Sequence, residues 1–177
     1  TTIGDYAFYG CGRICELKFP DGLVEIGADA FNGLPNVLGI ACPVSVKKIG
    51  VRAFKGVWND LEIKLPEGLE TLGADAFANC ASIRRVALPV LATPIKSAFP
   101  AAYAQIESVK ILGQPEVILK DFCRDIAKLT DIQIPASVTS IESYAFSGLS
   151  NLAEIELPSG LRTIGEYAFN GGSRLAT

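Results

Sequence analysis

Apolar and polar residues recur along this chain in one fixed order. The stretch from Leu152 to Phe169 reads LAEIELPSGLRTIGEYAF. Leu152, Ile155 and Leu157, with Glu154 and Glu156 between, predict a short strand with one buried face. Equivalent runs are Ile14/Leu17/Phe19, Val37/Ile40/Cys42, Leu61/Ile63/Leu65, Ile83/Val86/Leu88, Ile106/Val109/Ile111 and Leu129/Ile132/Ile134. A proline follows at Pro20, Pro43, Pro66, Pro89, Pro135 and Pro158, with Leu112 the departure. Proline cannot donate to a ladder, so it stops each strand at a set place. Gly22, Gly68 and Gly160, or Ser45 and Ser137, then turn the chain. A second apolar segment follows, as in Leu23/Ile26, Val46/Ile49, Leu69/Leu72, Val138/Ile141 and Leu161/Ile164.

Gly4, Gly27, Gly50, Gly73 and Gly165 come next and permit a sharp backbone change. An Ala-Phe pair then closes the unit on a single helical or 3-10 turn, and Gly10, Gly33, Gly56, Gly148 and Gly171 suit a left-handed stop after it. The phenylalanines act as a ruler. Phe8, Phe31, Phe54, Phe77, Phe99, Phe122, Phe146 and Phe169 are spaced by 23, 23, 23, 22, 23, 24 and 23 residues. A period in this range predicts an α/β repeat: a solenoid with a parallel sheet and short helical or 3-10 turns, over 1–177, in about seven to eight copies. One copy cannot bury its own apolar edge, but stacked copies bury it continuously. The rings are expected to form one ladder through the stack.

The copies around 90–126 are irregular. Phe99 and Phe122 lie one residue early against the proline grid, and Asp121 replaces the alanine before Phe122. Counting back from the rings puts Pro94 in the core isoleucine slot and Ile95 and Ile118 in the glycine slot. These copies are expected to keep the fold with altered turns, as drifted structure or as a binding bulge.

Charge and composition narrow the functional classes. A net charge of −3 gives no basic footprint for nucleic acid. The longest apolar stretch, Val86 to Ala92, is far short of a membrane span. The sequence begins and ends inside a repeat, so it reads as a segment of a longer protein. It contains no histidine, which removes Ser-His-Asp and Cys-His catalysis and histidine metal sites. The glycines are spread at repeat spacing and form no phosphate cradle. Neither a cofactor nor a metal is expected, nor is catalysis. The five cysteines, Cys11, Cys15, Cys42, Cys80 and Cys123, are expected as buried reduced thiols, with a Cys11–Cys15 bridge as the minor alternative.

What remains is surface. The outward strand positions line up as Lys18, Ala41, Lys64, Ala87, Lys110, Gln133 and Glu156, beside Glu16, Gly39, Glu62, Arg85, Ser108, Asp131 and Glu154. The face is basic in its first five copies and acidic in its last two. Such a sheet suits long or flat partners, and mixed charge would orient them. Trp58 and Tyr103, each four residues after a ring of the ruler, are the candidate anchors of an exposed aromatic ridge.

The string PASVTSIESYAFSGLSNLAEIELPSGLRTIGEYAF, from Pro135 to Phe169, resembles the BspA-like leucine-rich repeat, whose unit is also 23 residues long. Proline, Ile-Gly, Ala-Phe and the strand pattern recur together over essentially the whole chain. Cys11 and Cys80 fall in that family's cysteine slot, where Leu34, Val57 and Leu149 stand in other copies. The resemblance implies a right-handed solenoid of parallel strands. It also implies a bacterial or protist cell surface or secreted setting, with adhesion to host proteins or other cells. The expected function is a non-catalytic protein-interaction or adhesion module. A structural stalk is the alternative, and a glycan-binding module using Trp58 and Tyr103 is a weaker one. End-to-end self-association is a further expectation, since a solenoid without caps exposes a sheet edge and an apolar end.

Overall fold

The structure, a computed structural model, describes residues 1–37, 40–57 and 62–175. Its strands are β1 (Thr2–Ile3), β2 (Glu25–Ile26), β3 (Lys48–Ile49), β4 (Glu62–Lys64), β5 (Thr71–Leu72), β6 (Arg85–Leu88), β7 (Ser108–Ile111), β8 (Val117–Ile118), β9 (Asp131–Gln133), β10 (Ser140–Ile141) and β11 (Thr163–Ile164). They form three parallel sheets, ordered β1-β2-β3-β5, β4-β6-β7-β9 and β8-β10-β11. Every pairing runs between neighbouring coils: Ile3 with Ile26, Ile26 with Ile49, Val86 with Val109, Ile141 with Ile164. The register of the sheets is therefore the period of the sequence. The chain is a parallel-sheet solenoid, as the pattern predicts.

The coils close on a third ladder. In each regular copy the ring residue's N–H donates to the alanine carbonyl of the next coil: Phe8 to Ala30 (2.8 Å), Phe31 to Ala53 (2.8 Å), Phe54 to Ala76 (2.9 Å) and Phe146 to Ala168 (2.8 Å). These closures are hydrogen-bonded turns. Among the described residues, helix occurs only in the copy around Phe99, as α1 (Ile95–Ala98) and a 3-10 turn at Tyr103–Gln105. Two residues before the ring the backbone is left-handed, with φ of 53° to 60° at Tyr6, Asp29, Arg52, Asp75, Tyr144 and Tyr167. Asp tolerates that region better than Tyr or Arg does. Inter-coil bonds hold it for Tyr6, Asp29, Arg52, Asp75 and Tyr144, as in Asp29 N–H to Val51 O at 2.9 Å and Tyr144 N–H to Glu166 O at 3.1 Å.

The repeated glycine has a cause other than the expected one. A Cβ on Gly50 would lie 2.5 Å from the Ala28 nitrogen, and one on Gly73 would lie 2.4 Å from the Gly50 carbonyl carbon. Neither glycine has a positive φ. Adjacent coils approach backbone to backbone there, and no side chain fits between them.

The ring ladder is real but interrupted. Phe8, Phe31, Phe54, Phe77 and Phe99 stack in series, with centroids 4.8 to 5.4 Å apart. Phe146 stacks on Phe169 at 5.4 Å. Phe122, though buried, joins neither stack among the described residues. Strand register explains why. Ser140 pairs with Val117 and Ile141 with Ile118, so Ile118 keeps the isoleucine slot and Leu119 takes the glycine's. The Cys123 N–H donates to Ala145 O at 2.8 Å, the bond a ring residue makes elsewhere. Cys123 thus occupies the phenylalanine slot, and Phe122 the alanine slot. Large and small have changed places, and the expectation that Ile118 displaced a glycine is corrected.

The second departure lies one coil earlier. Pro94 has no N–H to extend the sheet from β5, and the chain turns into α1 instead. The Thr93 hydroxyl donates to Leu72 O at 2.6 Å, supplying a bond that the strand cannot. The sheet β1-β2-β3-β5 ends there, and β8-β10-β11 starts beyond it. Only β4-β6-β7-β9 crosses this stretch without a break.

The expected strands at 14–19 and 152–157 do not join a ladder, nor do 40–42. In the repeat register Glu154 and Glu156 would sit beside Asp131 and Gln133, and like charges placed opposite each other oppose pairing. The Gly39 and Ala41 types are weak strand formers.

Candidate functional site

The outer face of β4-β6-β7-β9 is built by register. Its pairings set Lys64, Ala87, Lys110 and Gln133 abreast, and Glu62, Arg85, Ser108 and Asp131 abreast. Alternation along each strand turns these side chains outward while Ile63, Val86, Val109 and Ile132 enter the core. Lys64, Arg85, Lys110 and Gln133 are exposed, whereas the small Ala87 is covered, at 7% exposure.

The two rows differ in how their charges are satisfied. In the second row Arg85 Nε meets a Glu62 carboxylate oxygen at 3.3 Å, and the Ser108 hydroxyl donates to Asp131 at 2.7 Å. That row is largely closed on itself. In the first row neither Lys64 nor Lys110 has an ion-pair partner among the described residues. Lys18 and Glu156, expected at the two ends of the row, lie outside the sheet. Lys18 is exposed and pairs with Glu16 at 3.2 Å. Glu156 lines an acidic depression of about 350 Å³ with Glu154, Asp131 and Gln133.

Two further hollows flank the lysines. Beside Lys64, Ile40, Cys42, Val44, Leu65 and Pro66 line a hollow of about 670 Å³ that Arg85 also borders. Val44 is 88% exposed there. Beside Lys110, Ile111, Leu112, Ile134 and Pro135 line one of about 330 Å³. Glu67 borders both. Each lysine thus stands next to an apolar floor.

Of the two residues of the expected aromatic ridge, Tyr103 alone is among the described residues. Tyr103 lies half-buried in its 3-10 turn against the core, with the Lys96 ammonium 5.0 Å from its ring centre. Trp58 falls outside the described residues. A different aromatic row occupies the left-handed slot two residues before the ring. Tyr144 and Tyr167 stack at 5.2 Å, and the Arg124 guanidinium lies 5.0 Å from the Tyr144 ring centre. The signal was present in the sequence as tyrosines at that slot in Tyr6, Tyr144 and Tyr167, but no regular residue type marks the position.

Buried chemistry is sparse. Asp29, 2% exposed, accepts from Arg52 Nε at 3.0 Å and Nη2 at 2.7 Å, and from the Asn32 amide at 2.7 Å. The Arg52 hydrogen bonds hold its carboxyl below the ordinary 3.8, against the opposing pull of burial. Burial pushes the Cys42 thiol up to about 12 and the Cys80 thiol up to about 11. Cys11 and Cys15 are exposed free thiols, which corrects the expectation that all five would be buried. Among the described residues no group of acidic, cysteine or histidine side chains could hold a metal, and no helix is long and apolar enough to cross a membrane.

The family model for the BspA type leucine rich repeat region matches residues 1–106 and 116–177, in six copies. The chain belongs to this family. The unmatched interval of this BspA-type chain contains Leu112, where the proline grid breaks. A solved leucine-rich repeat protein of Bacteroides ovatus is 30% identical, with a TM-score of 0.64 over 95% of this chain and 43% of its own. One from Eubacterium ventriosum is 20% identical, with a TM-score of 0.72 over 95% and 45%, and so speaks for the fold alone. One from T. pallidum is 26% identical, with a TM-score of 0.53 over 99% and 71%. The BspA-type chain spans less than half the length of the first two. No curated protein matches it.

Proposed function

We propose that this BspA-type chain is a non-catalytic protein-interaction module of a cell-surface or secreted protein, and that it engages its partner through the outer face of β4-β6-β7-β9. Family membership supports an interaction role for the repeat. The carrying observation is the matched register of four strands, which puts Lys64, Arg85, Lys110 and Gln133 on one face beside apolar hollows. A rigid periodic face sums many modest contacts and loses little entropy on binding. The nearly fully buried carboxylate, Asp29, is held by Arg52 and is not poised as an acid or base.

The test uses beads coated with the chain and with a Lys64→Ala/Arg85→Ala/Lys110→Ala variant. The beads are scored for retention on host-cell and extracellular-matrix surfaces under flow. An interaction face loses retention in the variant while its melting temperature stays within a few degrees. Equal retention by both would leave only the role of a spacer.

A further inference from the structure

We propose that Lys64 and Lys110 form a two-point clamp for an acidic segment in polyproline II conformation, lying across the strands with carboxylates at every third residue. The proposal deepens the interaction-face reading and rests on it. It also reduces the basic patch from three cations to two, because Glu62 already engages Arg85.

Spacing carries the argument. Lys64 and Lys110 flank Ala87 in one row of the same sheet. Strands lie about 4.8 Å apart, so the two lysine backbones stand roughly 10 Å apart. A polyproline II chain rises about 3.1 Å per residue with three residues per turn, so residues i and i+3 share one side about 9.3 Å apart. A β-strand does not offer this match: its i and i+3 side chains point to opposite faces. Ala87 between them carries no charge and no bulk beyond its methyl group, and neighbouring side chains cover it.

Charge and surface agree with spacing. Among the described residues neither ammonium group has an ion partner, while Arg85 in the neighbouring row is held by Glu62. Glu62 and Asp131 are tied to Arg85 and Ser108 in the neighbouring row, and Glu67, which borders both hollows, is the carboxylate a guest must pass. The hollows lie outside the pair, on the far side of each lysine from Ala87, and receive residues that flank the two carboxylates. Their floors of Leu65 and Pro66, and of Ile111 and Pro135, suit proline rings.

The probe is a fluorescein-labelled peptide of repeating Glu-Pro-Pro. The control contains the same residues with its glutamates adjacent to one another. Binding is read by fluorescence anisotropy at low salt. The spaced peptide is expected to bind several-fold tighter than the control. Lys64→Ala/Lys110→Ala should weaken it about ten-fold, as loss of two exposed charge pairs implies. Arg85→Ala should change it less than two-fold. Equal binding of the two peptides, or equal loss on Arg85→Ala, would overturn the clamp. Bead retention lost in the triple variant alongside either of those results would remove the clamp and keep the interaction face.

Discussion

At the scale of single residues, two kinds of position hold the coils together. Gly73 marks the first, where a methyl group would collide with the Gly50 backbone. Gly73→Ala should lower the urea unfolding free energy by about 1–3 kcal/mol, the usual cost of overpacking a site that cannot give way. Gly4→Ala, where nothing lies within 4 Å of the new carbon, should cost much less. Asp29 marks the second. Its folded carboxyl titrates below 3.8 because Arg52 stabilises the anion. The unfolded chain therefore takes up its proton first as pH falls. The contribution is complete above the unfolded value and fades as pH drops through the folded one. Urea midpoints of wild type and Asp29→Asn should differ most near neutral pH and draw together as pH falls below 3.8. A gap that stays constant down to pH 2 would dismiss the pair as a source of acid lability.

At the scale of elements, the period was legible because most coils obey the same constraints. Proline stops the long strand, glycine admits the next coil and a ring fills the turn. Assigning slots by counting back from the ring failed in one copy, because the ring itself had moved. Phe122 and Cys123 exchange roles, and only the pairing of Ile118 with Ile141 reveals which residue is out of place. This makes a sharp test. Phe122→Ala alone should cost about 3–5 kcal/mol, as large core deletions do. Phe122→Ala combined with Cys123→Phe restores the order of the neighbouring coils and should recover most of that loss in thermal melting. No recovery would mean that the neighbours have repacked around the exchanged pair. The face was legible in part. Lys64, Lys110 and Gln133 followed from alternation, but the ties of Arg85 to Glu62 and of Lys18 to Glu16 need side-chain positions. The loss of pairing at Glu156 needs the neighbouring coil.

At the scale of the whole molecule, stability in a stack is a sum of neighbour terms and need not be uniform. β6 and β7 are paired on both sides with long ladders, while β1 and β11 pair on one side only. Large apolar or aromatic side chains at the two ends, Tyr6 and Tyr9 at one and Ile164 and Tyr167 at the other, are more than half exposed. Native-state hydrogen exchange should find the Val86 and Val109 amides slowest and those of β1 and β11 fastest. Protection spread evenly along the chain would contradict this ordering.

The unbroken sheet has one more consequence. The ring stack and the short-strand sheets are both cut within the stretch from Pro94 to Cys123, and among the described residues β4-β6-β7-β9 is the one sheet that spans that cut, like a splint across a fracture. A guest lying across those strands would brace the joint it rests on. Occupancy would then be felt as stiffness between the two halves of the rod, far from any atom the guest touches.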